Sequence, residues 1–409
     1  MAELAHFQNF AKLKDVSVEF NDITVLAGKP STGKSYIMKM MYAINEALAQ
    51  LLNGTYLIHY ALMDKRNSPL IGLQSLKILL SNDDTDIKQA FELSENGRFI
   101  DAYKIIDEKL KDEKYKSKNI LQVIKQILQE LAKKQQEALS LSDEDIFTFL
   151  IKNILQSIFS DIKQISNSFE FTYKSTKITF SDNNFRLNSS FNSNKTINNV
   201  IFIETPLILE FEKFFPKDRF ETPYHIDSLL NELRGKDYSF TSQETDEFIL
   251  NFNKRVENII KGNIIKSNNE FSYISLDGKS YDSINISSGT KSIGLLQYLV
   301  ANKVLKRGSI LFWEEPEVHL HPKWQLKMIE LFLELMNMGV KIVFSTHSPY
   351  MVDYLNALSD KKGCRDRVSF NLLEETNSTV ANIILDKNSW DKLQSELLDP
   401  LEEIAWEYL

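Results

Sequence analysis

One short segment constrains this chain more than any other. Gly28-Lys29-Pro30-Ser31-Thr32-Gly33-Lys34-Ser35 has the spacing G-x-x-x-x-G-K-[ST] of a phosphate-binding loop. The flanks fit that reading. Ile23–Ala27 is a short, apolar, β-branched run of the buried-strand type, and from Tyr36 to about Leu52 the apolar period turns helical. Backbone N–H groups of such a loop, backed by a helix N-terminus, cradle a β-phosphate. Gly28 and Gly33 allow the tight backbone path. Lys34 reaches the β- and γ-phosphates as a point charge, and Ser35 offers its hydroxyl to Mg²⁺. With only 13 Gly in 409 residues, a chance match to this pattern is improbable, and the segment predicts a nucleoside triphosphate site.

Three later segments belong with the loop. Ser309–Trp313 is an apolar strand that delivers Glu314 and Glu315 at its C-terminal end. Glu314 is placed to hold Mg²⁺, and Glu315 to act as the general base for an attacking water. Read alone, Glu314-Glu315-Pro316-Glu317 is equally an acidic helix start with Pro316 at its first position. Ser287-Ser288-Gly289 lies between a strand and a helix, where a Ser-rich N-terminus binds an anion or simply caps the helix. His347 follows the apolar strand Val340–Phe344. In a parallel sheet it reaches the same rim as the loop and Glu315, within range of a γ-phosphate or its lytic water. His319 and His321 are two residues apart with no third ligand, which argues against zinc.

The rest of the chain frames these motifs. Alternation at Val16, Val18 and Phe20 reads as a strand closed by a turn at Asn21-Asp22. To about Ile165 the pattern is helical and poor in Pro and Gly, with no sustained heptad. Period two returns at Phe169–Tyr173, Ile178–Phe180 and Phe185–Leu187, and Val200–Ile203 reads as a buried strand. Helical patterns at Ile226–Leu233 and Glu244–Ile260 precede a hairpin signal. It comprises Phe271–Leu276, Asp277-Gly278 and Tyr281–Ile286. Strand and helix then alternate through Leu355, the pattern of a parallel α/β sheet. Val368–Leu373 and Ala381–Leu385 read as strands, and Asp391–Leu409 as an acidic helix.

Composition narrows the class. The net charge of −8 argues against blanket coating of nucleic acid. The single cysteine, Cys364, excludes an internal disulfide and a Cys-rich metal framework. No apolar run approaches the roughly 20 residues of a membrane span, and the N-terminus lacks the layout of a secretion signal. A cytoplasmic protein without membrane contact is expected.

Together these residues resemble the head of an ABC-class ATPase, closest to the SMC/RecF-like and OLD-like branches. Gly28–Ser35 matches Walker A, Ile286–Thr290 the signature, Ile310–Glu315 Walker B, His321 the D-loop position, and Thr346–Pro349 the switch-histidine motif. The Glu-Glu-Pro-Glu-x-His-Leu-His-Pro run is similar to the OLD-like group. Pro30-Ser31 departs from the usual Asn-Gly of the loop. The Q-loop position falls at Glu204-Thr205, without a glutamine.

The resemblance implies an α/β fold: a mixed sheet with flanking helices plus an antiparallel β subdomain, interrupted by an α-helical insert. It divides the chain into residues 1–35 (first part of lobe I), 36–165 (insert), 166–222 (lobe I continued), 223–265 (helical subdomain) and 266–409 (lobe II). It implies ATP and Mg²⁺ as cofactors. It also implies a head-to-tail homodimer in which Ser287, Ser288 and Gly289 of one chain cap ATP held by Gly28–Ser35 of the other. OLD nucleases carry a Toprim domain after the ATPase; no Asp-x-Asp follows His347, so none is expected here. The implied function is an ATPase controlling a separate effector, a nuclease or toxin, in anti-phage defence. The alternative is a RecF-like repair ATPase acting on DNA, with the Lys-rich segment Lys104–Lys134 touching phosphates; a solvated helical face is the plainer reading of that segment.

Overall fold

The structure is a computed structural model. It describes residues 2–57, 84–112, 119–159, 162–174, 176–181, 184–189, 197–210, 222–234, 246–267, 270–376 and 379–384, with isolated residues at 73, 76, 115, 390, 392, 393 and 397. The Asp391–Leu409 helix expected from sequence lies almost wholly outside these. The chain divides into two compact units, residues 1–46 with 153–409, and residues 47–152.

The larger unit is built on a six-stranded sheet. Five strands are parallel: β3 (Ile23–Ala27), β7 (Val200–Ile203), β11 (Ile310–Glu314), β12 (Lys341–Thr346) and β13 (Val368–Thr376). β14 (Thr379–Ile384) adds antiparallel at the edge, giving the order β14-β13-β3-β12-β11-β7. All five residues of β3 and all four of β7 are buried. That explains their unbroken apolar runs, because a parallel strand has both faces covered. Trp313, Phe332 and Phe344 fill the core on one side. The mixed sheet with flanking helices is the α/β class expected from sequence.

A second sheet, β2-β1-β4-β5-β6, is antiparallel. Its β2 (Leu13–Phe20), β4 (Phe169–Tyr173), β5 (Thr176–Ser181) and β6 (Asn184–Ser189) match the predicted alternation. β1 (Glu3–Phe10) was not anticipated. Its inward side is Ala5, Phe7 and Phe10, but Glu, His and Gln between them are weak strand formers. Pairing to both β2 and β4 overrides that weakness. The β1–β2 turn sets Asn9 and Ala11 at φ of 56° and 52°.

A third, three-stranded sheet holds β8 (Gly262–Ser267), β9 (Glu270–Ser275) and β10 (Ser280–Asp282). The Asp277-Gly278 hairpin is present, with Gly278 at φ 80° and its N–H on the Ser275 carbonyl at 2.8 Å. β10 stops at Asp282, shorter than the alternation suggested. The Asp282 carboxylate accepts from Ile284 N–H at 3.1 Å and starts a 3₁₀ turn, Ser283–Asn285. That turn leads into the helix Ser288–Ala301, buried along nearly its whole length. Gly294 lets this helix approach β8 closely, since a Cβ there would sit 2.2 Å from Ile264.

The unit at 47–152 is helical by itself. Its described helices include Thr85–Glu95, Phe99–Lys109 and Asn119–Leu139. They bury Phe91, Phe99, Ile106, Leu121, Ile124, Leu128 and Leu131 around one core. Several lysines of the Lys-rich segment are taken up by acids of the same unit. Lys109 pairs with Asp84 and with Asp86, the latter at 2.6 Å, and Lys125 with Asp107 at 2.6 Å. This unit falls inside the 36–165 segment marked as an insert. Among the described residues no helix is long and apolar enough to cross a membrane.

Candidate active site

Register brings the site together. Along the sheet Ala27 faces Thr346, Ser345 faces Glu314, and Trp313 faces Ile203. The four strands therefore end together, and the residues just past their ends share one rim: Gly28, His347, Glu315 and Glu204. A crevice beyond the carboxyl ends of parallel strands is where open α/β sheets bind ligands.

The phosphate loop leaves β3 at Gly28 and enters the helix Lys34–Asn53. Gly28 has φ 135°, and a Cβ there would lie 2.3 Å from the Leu373 carbonyl oxygen, so only glycine fits beside β13. Gly33 has φ 93°. Ser31, which departs from the family pattern, adopts φ 65°, a left-handed conformation in which glycine would carry no steric cost. Lys29, Pro30, Ser31 and Ser35 are exposed, whereas Thr32 and Lys34 are buried. Thr32 braces the loop through its hydroxyl to the Lys29 carbonyl at 2.9 Å. The Lys34 ammonium donates to the carbonyls of Gly28 at 2.8 Å and Lys29 at 2.7 Å.

The acids sit opposite. Glu314 ends β11 with its Oε1 buried and without a hydrogen bond. Burial pushes its carboxyl pKa up, opposed by the Lys39 ammonium and the Ser35 hydroxyl and reinforced by Glu204. A buried, unpaired carboxylate oxygen beside a loop hydroxyl is a hard-oxygen donor set suited to Mg²⁺. Glu314 and Ser35 are the residues that would hold the ion. Glu315 follows at φ 45°, a costly conformation for a non-glycine residue of the kind found at functional sites. Its N–H is held by Ser345, at 3.1 Å from the carbonyl and 3.2 Å from the hydroxyl. Its Oε1 lies 3.3 Å from Nε2 of His347. Burial lowers the His347 pKa, as does Lys34, while Glu315 raises it.

Ser287, Ser288 and Gly289 are placed differently. Ser287 is exposed and caps the helix Ser288–Ala301, accepting from Thr290 N–H at 3.2 Å. Gly289 lies against the loop after Glu315: a Cβ there would be 3.0 Å from the His319 carbonyl and 3.6 Å from Trp324. Through Gly289 this segment packs on residues 319–324. His321 caps the next helix, Pro322–Met338, through Nδ1 and Lys323 N–H at 3.2 Å.

Sequence reasoning missed part of the rim. Lys39, one helical turn after Ser35, pairs with Glu204, and His225 Nε2 stands 3.3 Å from the other oxygen of that carboxylate. These two hold the Glu204 pKa down to about 2, His225 being the larger cause, against the opposing effect of burial. The i, i+4 spacing from Ser35 could have flagged Lys39. Nothing local flags His225.

Desolvation also lowers the Lys34 pKa to about 8, despite the pull of Glu315, Glu317 and Glu314. The ammonium is therefore charged below that pH and neutral above it in the free protein. Because kcat/KM reports free-enzyme ionisations, kcat/KM for MgATP is expected to fall above about pH 8. Bound phosphates stabilise the charge, so kcat should hold to higher pH. A steady-state pH profile checks this; a flat kcat/KM from pH 7 to 10 would exclude Lys34 titration. The stability effect runs the other way. From about pH 8 to 10.5 the unfolded chain binds more protons at this residue, so its contribution to folding improves as pH rises.

A glycine-containing loop at a helix start, a carboxylate pair two strands along the same rim and a histidine at the end of the strand between them define a P-loop ATPase. The sequence matches the AAA ATPase domain family (AAA_15) over residues 6–352, and the chain belongs to that family. It is an ATP-hydrolysing enzyme. No curated protein matches the chain. Solved structures similar to it include the SMC head domain from Thermotoga maritima, at 10% identity over 94% of this chain and 99% of that one, TM-score 0.40. An SMC head bound to the C-winged helix domain of ScpA shares 11% identity over 96% and 99%, TM-score 0.46. A nucleotide-free ATP-binding cassette from an ABC transporter shares 10% over 96% and 95%, TM-score 0.33.

Proposed function

We propose that the protein binds MgATP between two copies of itself and hydrolyses it with Glu315 as general base, using the closed and open dimer to regulate a separate effector protein. One observation carries the dimer: Ser287 is exposed at a helix N-terminus, an anion-binding feature, while Gly289 beside it is packed on residues 319–324. A second copy, turned head to tail, would bring Ser287, Ser288 and Gly289 to the γ-phosphate held by Gly28–Ser35. Lys34 binds and neutralises phosphate, Glu315 takes the proton of the attacking water, and His347 orients Glu315. Mg²⁺, held by Glu314 and Ser35, would supply charge neutralisation on the phosphates. The γ-phosphate then acts as a ligand that favours the closed state until it is released.

The effector role and its setting in anti-phage defence rest on the OLD-like Glu-Glu-Pro-Glu-x-His-Leu-His-Pro run and on the separate helical unit at 47–152. The acids that take up lysines within this unit favour a protein partner over DNA, the substrate of the RecF-like alternative.

Complementation tests the shared site. Lys34→Met removes the phosphate-binding cation. Ser287→Glu places a repelling carboxylate at the signature while still suiting a helix N-terminus. Each variant alone is expected to be nearly inactive. An equimolar mixture should regain ATPase activity, because one site of the mixed dimer is intact. Mixtures that stay as inactive as their components would place the signature outside the partner's site.

A further inference from the structure

The third acid of the run, Glu317, has no part in the chemistry described above, yet it is built into the site. It leaves the strand that carries Glu314 and turns back across the rim. Its Oε1 accepts the backbone N–H of His347 at 2.7 Å, a bond spanning thirty residues of sequence. Its Oε2 is shielded from solvent. The Glu317 carbonyl in turn accepts Leu320 N–H at 2.8 Å, fixing the start of the loop that supports Gly289. Two loops meet through this one side chain: the loop after β11 carrying Glu315, and the loop after β12 carrying His347.

We propose that Glu317 is a positioning residue that sets the His347 imidazole against Glu315 by holding the His347 main chain. The proposal rests on the reading of His347 and Glu315 as the pair that handles the lytic water. The geometry supports it from both sides. The Glu315 backbone is anchored by Ser345, two residues before His347, and the His347 backbone is anchored by Glu317, two residues after Glu315. One loop is therefore tied to the strand end of the other, and that strand's own loop is tied back to Glu317, so that both ties bracket the 3.3 Å separation of His347 Nε2 and Glu315 Oε1. Burial raises the Glu317 carboxyl pKa, with the His347 N–H acting against it. The role needs only a carbonyl-type acceptor of the right length, so an amide serves and a shorter acid does not.

The test compares Glu317→Gln, Glu317→Asp, Glu317→Ala, His347→Ala and the double variant Glu317→Ala/His347→Ala in the full chain. Nucleotide affinity and thermal melting are read beside steady-state ATPase rates. His347→Ala checks the underlying reading first: if it hydrolyses at the parental rate, the His347 assignment fails whatever Glu317 does. With His347→Ala impaired, the expected results are these. Glu317→Ala and Glu317→Asp lose kcat by about 10–100-fold, the size of effect a small misplacement of a catalytic group produces. Nucleotide affinity changes little. Glu317→Gln recovers most of the parental kcat. The double variant falls no further than His347→Ala, because groups acting through one another are not additive. Three results would overturn the proposal: parental kcat in Glu317→Ala, a Glu317→Gln variant as impaired as Glu317→Ala, or losses that multiply in the double variant. A lowered melting temperature with parental kcat would likewise assign Glu317 to stability alone.

Discussion

Glu315→Gln is expected to lower kcat for ATP hydrolysis by about 10²–10⁴-fold, the usual contribution of a general base, while ATP stays bound. The amide is isosteric with the acid. It leaves the backbone bonds from Glu315 N–H to Ser345 intact and so preserves the left-handed turn at φ 45°. What it removes is the negative carboxylate facing His347, the proton acceptor of the proposed mechanism. Lys34, Ser35 and Glu314 are untouched, so MgATP should bind with near-parental affinity and accumulate. If the dimer closes on nucleotide, the variant should sediment as a stable dimer in ATP and as a monomer without it. Rapid quench measures the chemical step and sedimentation the assembly. Hydrolysis at the parental rate would remove Glu315 from the base role, and a trapped nucleotide without a dimer would remove the sandwich.

Lys34→Met should separate binding from folding. Lys34 is 5% exposed, and its ammonium donates to the carbonyls of Gly28 and Lys29. Burying that charge is unfavourable, as its depressed pKa shows. Methionine has similar length, fills the same space and carries no charge. The exchange relieves the desolvation of the charge but leaves the carbonyls of Gly28 and Lys29 without that donor, so the two effects oppose each other. The melting temperature should therefore change little. Nucleotide affinity should fall by about 100-fold, since hydrogen bonds to a charged group are worth roughly 1.5–3 kcal/mol each. Isothermal titration with MgATP and a thermal melt in the same buffer give both numbers. A variant that binds ATP normally, or that loses affinity only because it no longer folds, contradicts this account.

Much of the site was legible in one dimension because its parts are local. The loop Gly28–Ser35, the acids after Trp313 and His347 after Phe344 each sit immediately after an apolar strand, and a parallel sheet carries every strand end to one rim. Glu317 was visible only as one more acid, because its partner His347 is distant in sequence. His225 was silent for the same reason: its relation to Glu204 arises from a helix folded over β7. β1 escaped because the polar residues between its buried ones are weak strand formers, and β2 and β4 supply the pairing.

The sequence by itself determined the class, an ATPase on α/β scaffolding, and the places of the candidate parts: a phosphate loop, a carboxylate pair and a histidine after apolar strands. These depend on residue type and short spacing, which backbone geometry converts directly into local structure. Tertiary structure alone decided how the parts are held. It set Gly28 against the Leu373 carbonyl, buried Lys34 enough to lower its pKa, locked Glu204 between Lys39 and His225 and tied His347 to Glu317. Each of these is a contact between segments far apart in the chain. Only strand order and register, fixed by burying the apolar faces of the sheet, bring such segments within hydrogen-bond distance.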